Sequence, residues 1–250
     1  MTGVTVRVSF ALLSSLAFTP STKGPTVRDL TISEKLLLLL TKDDGRTVSS
    51  SAAYGYAAAN IADLALAGRL TLSGDKDPRV NVVDATPTGH PVLDAAVERL
   101  ADKNGKKFSG LVTDVKVAAT PRIVQSLAQI GIIDVEEKKL LGLVPEKHPV
   151  HDPAPERALR DQIRLALAGG SAKPKVSTLL SILSGLDVAH KVLADESAGM
   201  SKRDLKRRID EVAVAMDTKD TAVAVKRAID SMNAVIIASL AASTVTAVSN

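Results

Sequence analysis

The chain has 250 residues, 45% of them hydrophobic and 24% charged, and a formal net charge of +4. That is globular composition with room for one sizeable core or two small ones, and the mild basic bias is compatible with an anionic partner without requiring one. There is no cysteine, which excludes disulfides, thiol nucleophiles and cysteine-ligated metal; with aromatics at 2%, the core must be built from Leu, Val, Ile and Ala.

At the N-terminus, Arg7 precedes the apolar run VSFALLSSLAF at 8–18. This is the outline of a secretory signal with a weak charged region and a poor cleavage site. The expectation is an N-terminal extension over 1–26, with TPSTKGP (19–25) as linker and a secretory signal at 1–18 as the alternative. Thr31 and Glu34 form a T-x-x-E capping box, so a helix is predicted over 32–40, including the five leucines at 36–40. The run is too short to span a bilayer, and apolar residues on every side imply burial on every side. Gly45 offers a left-handed stop.

An alanine-rich helix is predicted over 51–66, where Ala57, Ala58 and Ala59 permit close helix approach. Residues 69–72 and 80–83 alternate like the strands of a hairpin. A helix at 91–103 carries an apolar stripe of Val92, Leu93, Ala96, Val97 and Leu100. A short helix is predicted at 111–116 after KNGKKFSG, then one at 122–129 with Pro121 at its first turn. Residues 132–135 and 140–144, joined by EEKK, read as a second hairpin. Helical periodicity marks 156–168, 176–184, 188–195, 201–216 and 221–240. Residues 231–250 are uncharged, but Ser, Thr and Asn interrupt them, which favours a buried helix with a polar tail. The expected fold class is mainly α, a single-domain helical bundle with surrounding amphipathic helices and one or two small β-hairpins. The expected domain covers 27–242, with a tail at 243–250.

No chemistry of an enzyme is apparent. His148-x-x-His151 beside Asp152 lies in a Pro-flanked loop without a metalloprotease helix, GG at 169–170 stands alone, and no nucleophile elbow occurs. No enzyme activity, cofactor or metal is expected. The helix at 201–216 sets Leu205, Ile209, Val212 and Met216 on one face and Lys202, Arg203, Lys206 and Arg207 on the other, with Asp204 and Arg208 spaced as an i,i+4 pair. In the second hairpin, Lys138 and Lys139 precede Leu140, Leu141 and Leu143. Such a tip suits packing on the core or on another subunit, or the anionic boundary of a membrane.

In their order and spacing, LTISEKLLLLLTKDDGR (30–46), IADLALAGRLTL (61–72), TPTGHPVLDAAVERL (86–100), RIVQSLAQIGII (122–133), KHPVHD (147–152) and NAVIIASLAA (233–242) resemble the Golgi phosphoprotein 3 (GPP34) family, in the form of a bacterial member. The resemblance implies a helical domain with a hairpin used in oligomerisation. In eukaryotic members it implies peripheral membrane binding through phosphatidylinositol 4-phosphate. The family's headgroup positions, an aromatic residue and three arginines, fall by the resemblance on Val48, Ala57, Val117 and Thr120. None of these side chains supplies the expected group, since a phosphate calls for charge-assisted donors. Arg46, Lys116 and Arg122 lie close by as compensating cations.

The resulting expectation is a non-enzymatic, cytoplasmic or peripheral adaptor at the inner face of a membrane. It would bind an anionic phospholipid or phosphoinositide headgroup and form a homo-oligomer through the 132–148 hairpin. The alternative is a soluble oligomeric scaffold without lipid binding. A nucleic-acid-binding domain is a lesser alternative: 121–144 has the outline of a winged helix, but Tyr54, Tyr56 and Phe108 are too few for a stacking platform. The sequence names no client protein.

Overall fold

A computed structural model describes residues 28–42, 44–73, 77–135 and 147–215. Its elements are α1 (Ile32–Leu40), α2 (Ala52–Leu66), β1 (Leu70–Ser73), β2 (Arg79–Val82), α3 (Pro91–Asp102), α4 (Phe108–Val112), α5 (Val115–Ala118), α6 (Thr120–Gln129), α7 (Ala154–Leu167), α8 (Pro174–Gly185), α9 (Ala189–Val192) and α10 (Lys202–Val214). The protein is mainly helical, with one two-stranded antiparallel sheet among the described residues.

Helix α1 begins as its sequence dictates. Thr31 Oγ1 accepts from the Glu34 amide at 3.2 Å, and Glu34 Oε2 accepts from the Thr31 amide at 2.8 Å. Every residue of α1 except Lys35 is buried. It packs against α2 and α8, which are themselves almost entirely buried, and these three form the centre. Gly55 of α2 makes the approach possible: a Cβ there would lie 2.7 Å from Leu186 Cδ1 and 2.9 Å from Leu36 Cδ2. Amphipathic α3, α6, α7 and α10 lie around this centre, each burying one stripe.

The end of α1 differs from expectation. Thr41 turns extended at once and bridges Thr47, so the chain closes a tight turn in which Gly45 adopts φ +76°. Gly45 therefore serves this turn and does not cap the helix. Its amide donates to Lys42 O at 2.8 Å, and its carbonyl accepts from the His148 amide at 3.0 Å.

Strands β1 and β2 pair Leu70 with Val82 and Ser73 with Arg79, one residue from the predicted bounds. The predicted helix at 111–116 is instead two short ones, α4 and α5, because the Asp114 side chain accepts from the Lys116 amide and starts a new turn. The predicted helix at 188–195 is reduced to α9. In the second hairpin region, Ile133 bridges antiparallel to Val150, with the Asp134 amide donating to Pro149 O at 2.9 Å. The predicted partner strand at 140–144 and the predicted helix at 221–240 lie outside the described residues, as do the extension at 1–26 and the tail at 243–250.

The expected Asp204–Arg208 pair is replaced by a different arrangement. Arg207 reaches Asp204 at 3.1 Å, while Arg208 donates to Leu167 O at 2.8 Å and Ala166 O at 3.2 Å. Arg208 thus supplies a donor to the Leu167 carbonyl and an additional one to Ala166 O, which already accepts from the Gly169 amide, at the C-terminus of α7, where the helix dipole favours a cation.

Candidate functional site

Two of the three compensating cations predicted from sequence, Lys116 and Arg122, lie together at the corner between α5 and α6. Asp114 caps α5, and Ala119, at φ +50°, turns the chain directly into α6. Asn60 of α2 braces the corner from below, its Nδ2 donating to Val117 O at 2.9 Å and Ala118 O at 3.1 Å. This geometry drives Val117 into the core and leaves Val115, Lys116, Pro121 and Arg122 outside.

Two shallow hollows meet at Pro121. One, of about 430 Å³, is lined by Arg99, Lys116 and Arg122 together with Glu98 and Asp102; the other, of about 650 Å³, by Thr120, Val124, Val135 and His148. Arg99 is bound to Asp114 at 2.8 Å. Lys116 and Arg122 make no ion pair among the described residues; Arg122 donates only to Gln125 Oε1, at 3.2 Å. Apolar side chains stand in water nearby: Val115 is 73% exposed, Val135 46% and Ile130 41%. Exposed valines and an isoleucine around unpaired cations form a surface with both an apolar and a cationic component.

The family-mapped positions do not converge here. Ala57 and Val117 are fully buried, Val48 packs half-buried against the core, and Thr120 alone reaches a hollow. Arg46 is exposed and bound to Asp44 at 2.5 Å. Its turn is carried toward the second hollow by the bond between Gly45 and His148. Lys138, Lys139, Leu140, Leu141 and Leu143 lie outside the described residues. No helix among the described residues is long and apolar enough to cross a membrane, and none of their acidic, histidine or cysteine side chains cluster in threes to hold a metal.

The family model for Golgi phosphoprotein 3 (GPP34) matches residues 32–232, opening on the first residue of α1 and spanning every described element after it. The chain belongs to the GPP34 family. A search of curated proteins returns no match.

One further polar cluster in this GPP34 chain escaped the sequence reading. Buried Glu34 receives Arg28 Nη2 at 2.6 Å and lies 3.4 Å from His90 Nε2, while Arg28 Nη2 also donates to Ser126 Oγ at 2.7 Å. Arg28 and His90 are also in direct contact. Serine, histidine and glutamate are the residue types of an acyl-transfer triad, but here the guanidinium stands at the hydroxyl and Ser126 is buried. The arrangement is a clamp at the head of α1. Burial opposes the charge on Glu34, yet hydrogen bonds from His90, the Thr31 amide and Ser126 bring its pKa down to about 2.

Asp63 completes the clamp from α2, accepting from the Ile32 amide at 2.6 Å; burial pushes its pKa up, against the pull of Lys175 at 3.5 Å. The signal was present in the sequence: Asn60 and Asp63 are the only polar side chains on an otherwise alanine- and leucine-rich stretch, AAANIADLAL. In such a setting a polar residue needs a buried partner.

Proposed function

We propose that this GPP34 chain is a non-enzymatic peripheral adaptor that docks on anionic lipid through the α5–α6 corner and the adjoining 132–148 segment. The observation that carries this reading is the pairing of exposed Val115 with Lys116 and Arg122, which have no anionic partner among the described residues. Exposed Val135 leads directly into the segment bearing Lys138, Lys139, Leu140, Leu141 and Leu143. Family membership supports the same direction, since GPP34 is a non-catalytic adaptor and lipid-binding family.

Basic residues near an anionic surface contribute about 1 kcal/mol each. A surface without the family's headgroup arginines would read charge more than headgroup identity, so phosphatidylglycerol vesicles serve as well as vesicles with phosphatidylinositol 4-phosphate. Cosedimentation tests this. Lys116→Gln with Arg122→Gln should weaken binding to phosphatidylglycerol vesicles about thirtyfold, and Lys138→Glu with Lys139→Glu should abolish it. If the unmodified chain stays in the supernatant with anionic vesicles at low salt, the proposal fails.

Exposed Ile130 and Val135, at and just after the end of α6, support a second reading, a scaffold that self-associates there. Deleting 137–143 should then lower the mass measured by light scattering, and an unchanged mass would remove this reading.

A further inference from the structure

We infer that the hollow between β2, the end of α3 and the loop at 103–107 is a separate anion site that takes a phosphate monoester. It goes beyond the lipid-docking corner and uses none of that corner's cations.

Arg79, Lys103, Lys106 and Lys107 line this hollow of about 400 Å³ with Ser109 and Asp114. The loop that presents three of these cations is held rigidly. Arg79 and Lys107 form an antiparallel bridge, the Val80 amide donates to Lys106 O at 2.9 Å, and the Gly105 amide donates to Val80 O at 2.8 Å. The Phe108 amide donates to Pro78 O at 2.8 Å, and Asn104 Oδ1 accepts from the Val82 amide at 2.8 Å. The Phe108 ring is fully buried and pins the loop's end. Gly105, at φ +75°, makes the reversal that brings Lys103 and Lys106 to one side.

The local charges do not balance. Asp114 is the only carboxylate in the lining, and it is already held by Arg99 and by the amide of Lys116. Asp77, just outside, accepts from the amide and hydroxyl of Ser109 and stands 3.9 Å from Lys107. Arg79 donates one nitrogen to Gly105 O. Lys106 makes no ion pair or side-chain hydrogen bond among the described residues, and Lys103 makes none either, though its charge is felt by Asp114 across the lining. Like charges fixed around one hollow repel, and a bound anion converts that repulsion into attraction.

A phosphate monoester matches this geometry better than a carboxylate. It carries close to two charges and three terminal oxygens, enough to engage an arginine fork and two lysines together. The volume also admits the alcohol to which the phosphate is joined. That alcohol is either a soluble metabolite or the glycerol of a phosphatidic acid, and the experiment separates the two.

The full chain, labelled with nitrogen-15, is titrated with inorganic phosphate. The amides of Gly105, Lys106, Ser109 and Gly110 should shift and saturate at about millimolar concentration. Lys103→Gln with Lys106→Gln should weaken this at least about tenfold, while Lys116→Gln with Arg122→Gln leaves it unchanged. Lys106→Glu alone, at an exposed position, repeats the test without risk to the fold.

In the vesicle arm, phosphatidic acid bears the monoester and phosphatidylglycerol the diester. A preference for phosphatidic acid that disappears in the Lys103/Lys106 variant assigns the ligand to a lipid. Amide shifts with phosphate, without any vesicle preference, assign it to a soluble ester. No shifts at about 20 mM phosphate, or shifts undiminished in both lysine variants, overturn the inference. This outcome is distinct from failure of the docking corner, which is read from the Lys116/Arg122 variant.

Discussion

Replacing Glu34 with Gln tests the clamp at the head of α1. The substitution preserves shape and one carbonyl oxygen but removes the negative charge that faces Arg28 at 2.6 Å and the Thr31 amide at 2.8 Å. The acidity of Glu34 gives the size of the effect. Burial favours the neutral acid, but the hydrogen bonds from His90, Thr31 and Ser126 outweigh it and lower the pKa from 4.5 to about 2. A drop of that size corresponds to about 3 kcal/mol in favour of the ionised carboxylate in the folded state. Since the folded value lies below the unfolded one, the contribution is fully present above pH 4.5 and is lost as the pH falls toward 2.

Glu34→Gln should therefore lower the unfolding free energy by about 3 kcal/mol near pH 7, measured by urea denaturation. The gap should narrow to about 1.5 kcal/mol near pH 3. Asp63 has the opposite sense: burial raises its pKa, so it costs stability as the pH climbs above 3.8. It titrates in both proteins and cancels in the difference. A loss below about 1 kcal/mol near pH 7, or a gap that does not close on acidification, would refute the reasoning.

Gly55→Ala sets a better helix former against a Cβ placed 2.7 Å from Leu186. Helix propensity favours the variant by about 1 kcal/mol and overpacking opposes it by about 1–3, so a net loss of up to about 2 kcal/mol is expected in chemical denaturation. Asn60→Ala strands the carbonyls of Val117 and Ala118 in the core and should cost about 2 kcal/mol. Hydrogen exchange should also accelerate at α5 and the start of α6, and unchanged protection there would argue against the brace. Arg208→Ala leaves the Leu167 carbonyl at the end of α7 without its donor and should cost about 1 kcal/mol, seen as a melting temperature lower by about 2–4 °C. Arg208→Lys should recover part of it.

What could be read from the sequence depended on the range of the interaction. Helix α1 was legible residue by residue because its capping box is local, and the apolar stripe of α3 was legible because its period is local. Asp114 was misread because its side chain competes with the helix that periodicity alone would continue. The Asp204–Arg208 pairing fails because Arg208 is drawn to Ala166 and Leu167 on another helix, and its ion pair on its own helix is with Glu211. The same limit applies at the candidate site. Lys116 and Arg122 were identifiable as cations near the family's headgroup positions. Burial of Ala57 and Val117, and exposure of Val115 and Val135, depend on which neighbours arrive from elsewhere in the chain, and a residue pattern does not record that.

The enclosure of α1 has a consequence for how the protein is made. The leucine-rich helix leaves the ribosome with only α2 close behind it. Another wall of its cover, α8, is synthesised much later; Lys175 reaches back to Asp29 across 146 positions. Closing so long a loop is slow, and until it closes an apolar helix lacks one wall. Nascent chains stopped before residue 174 should therefore be sticky intermediates that rely on chaperones, and the protein's yield in a cell depends on the interval between translating α1 and α8.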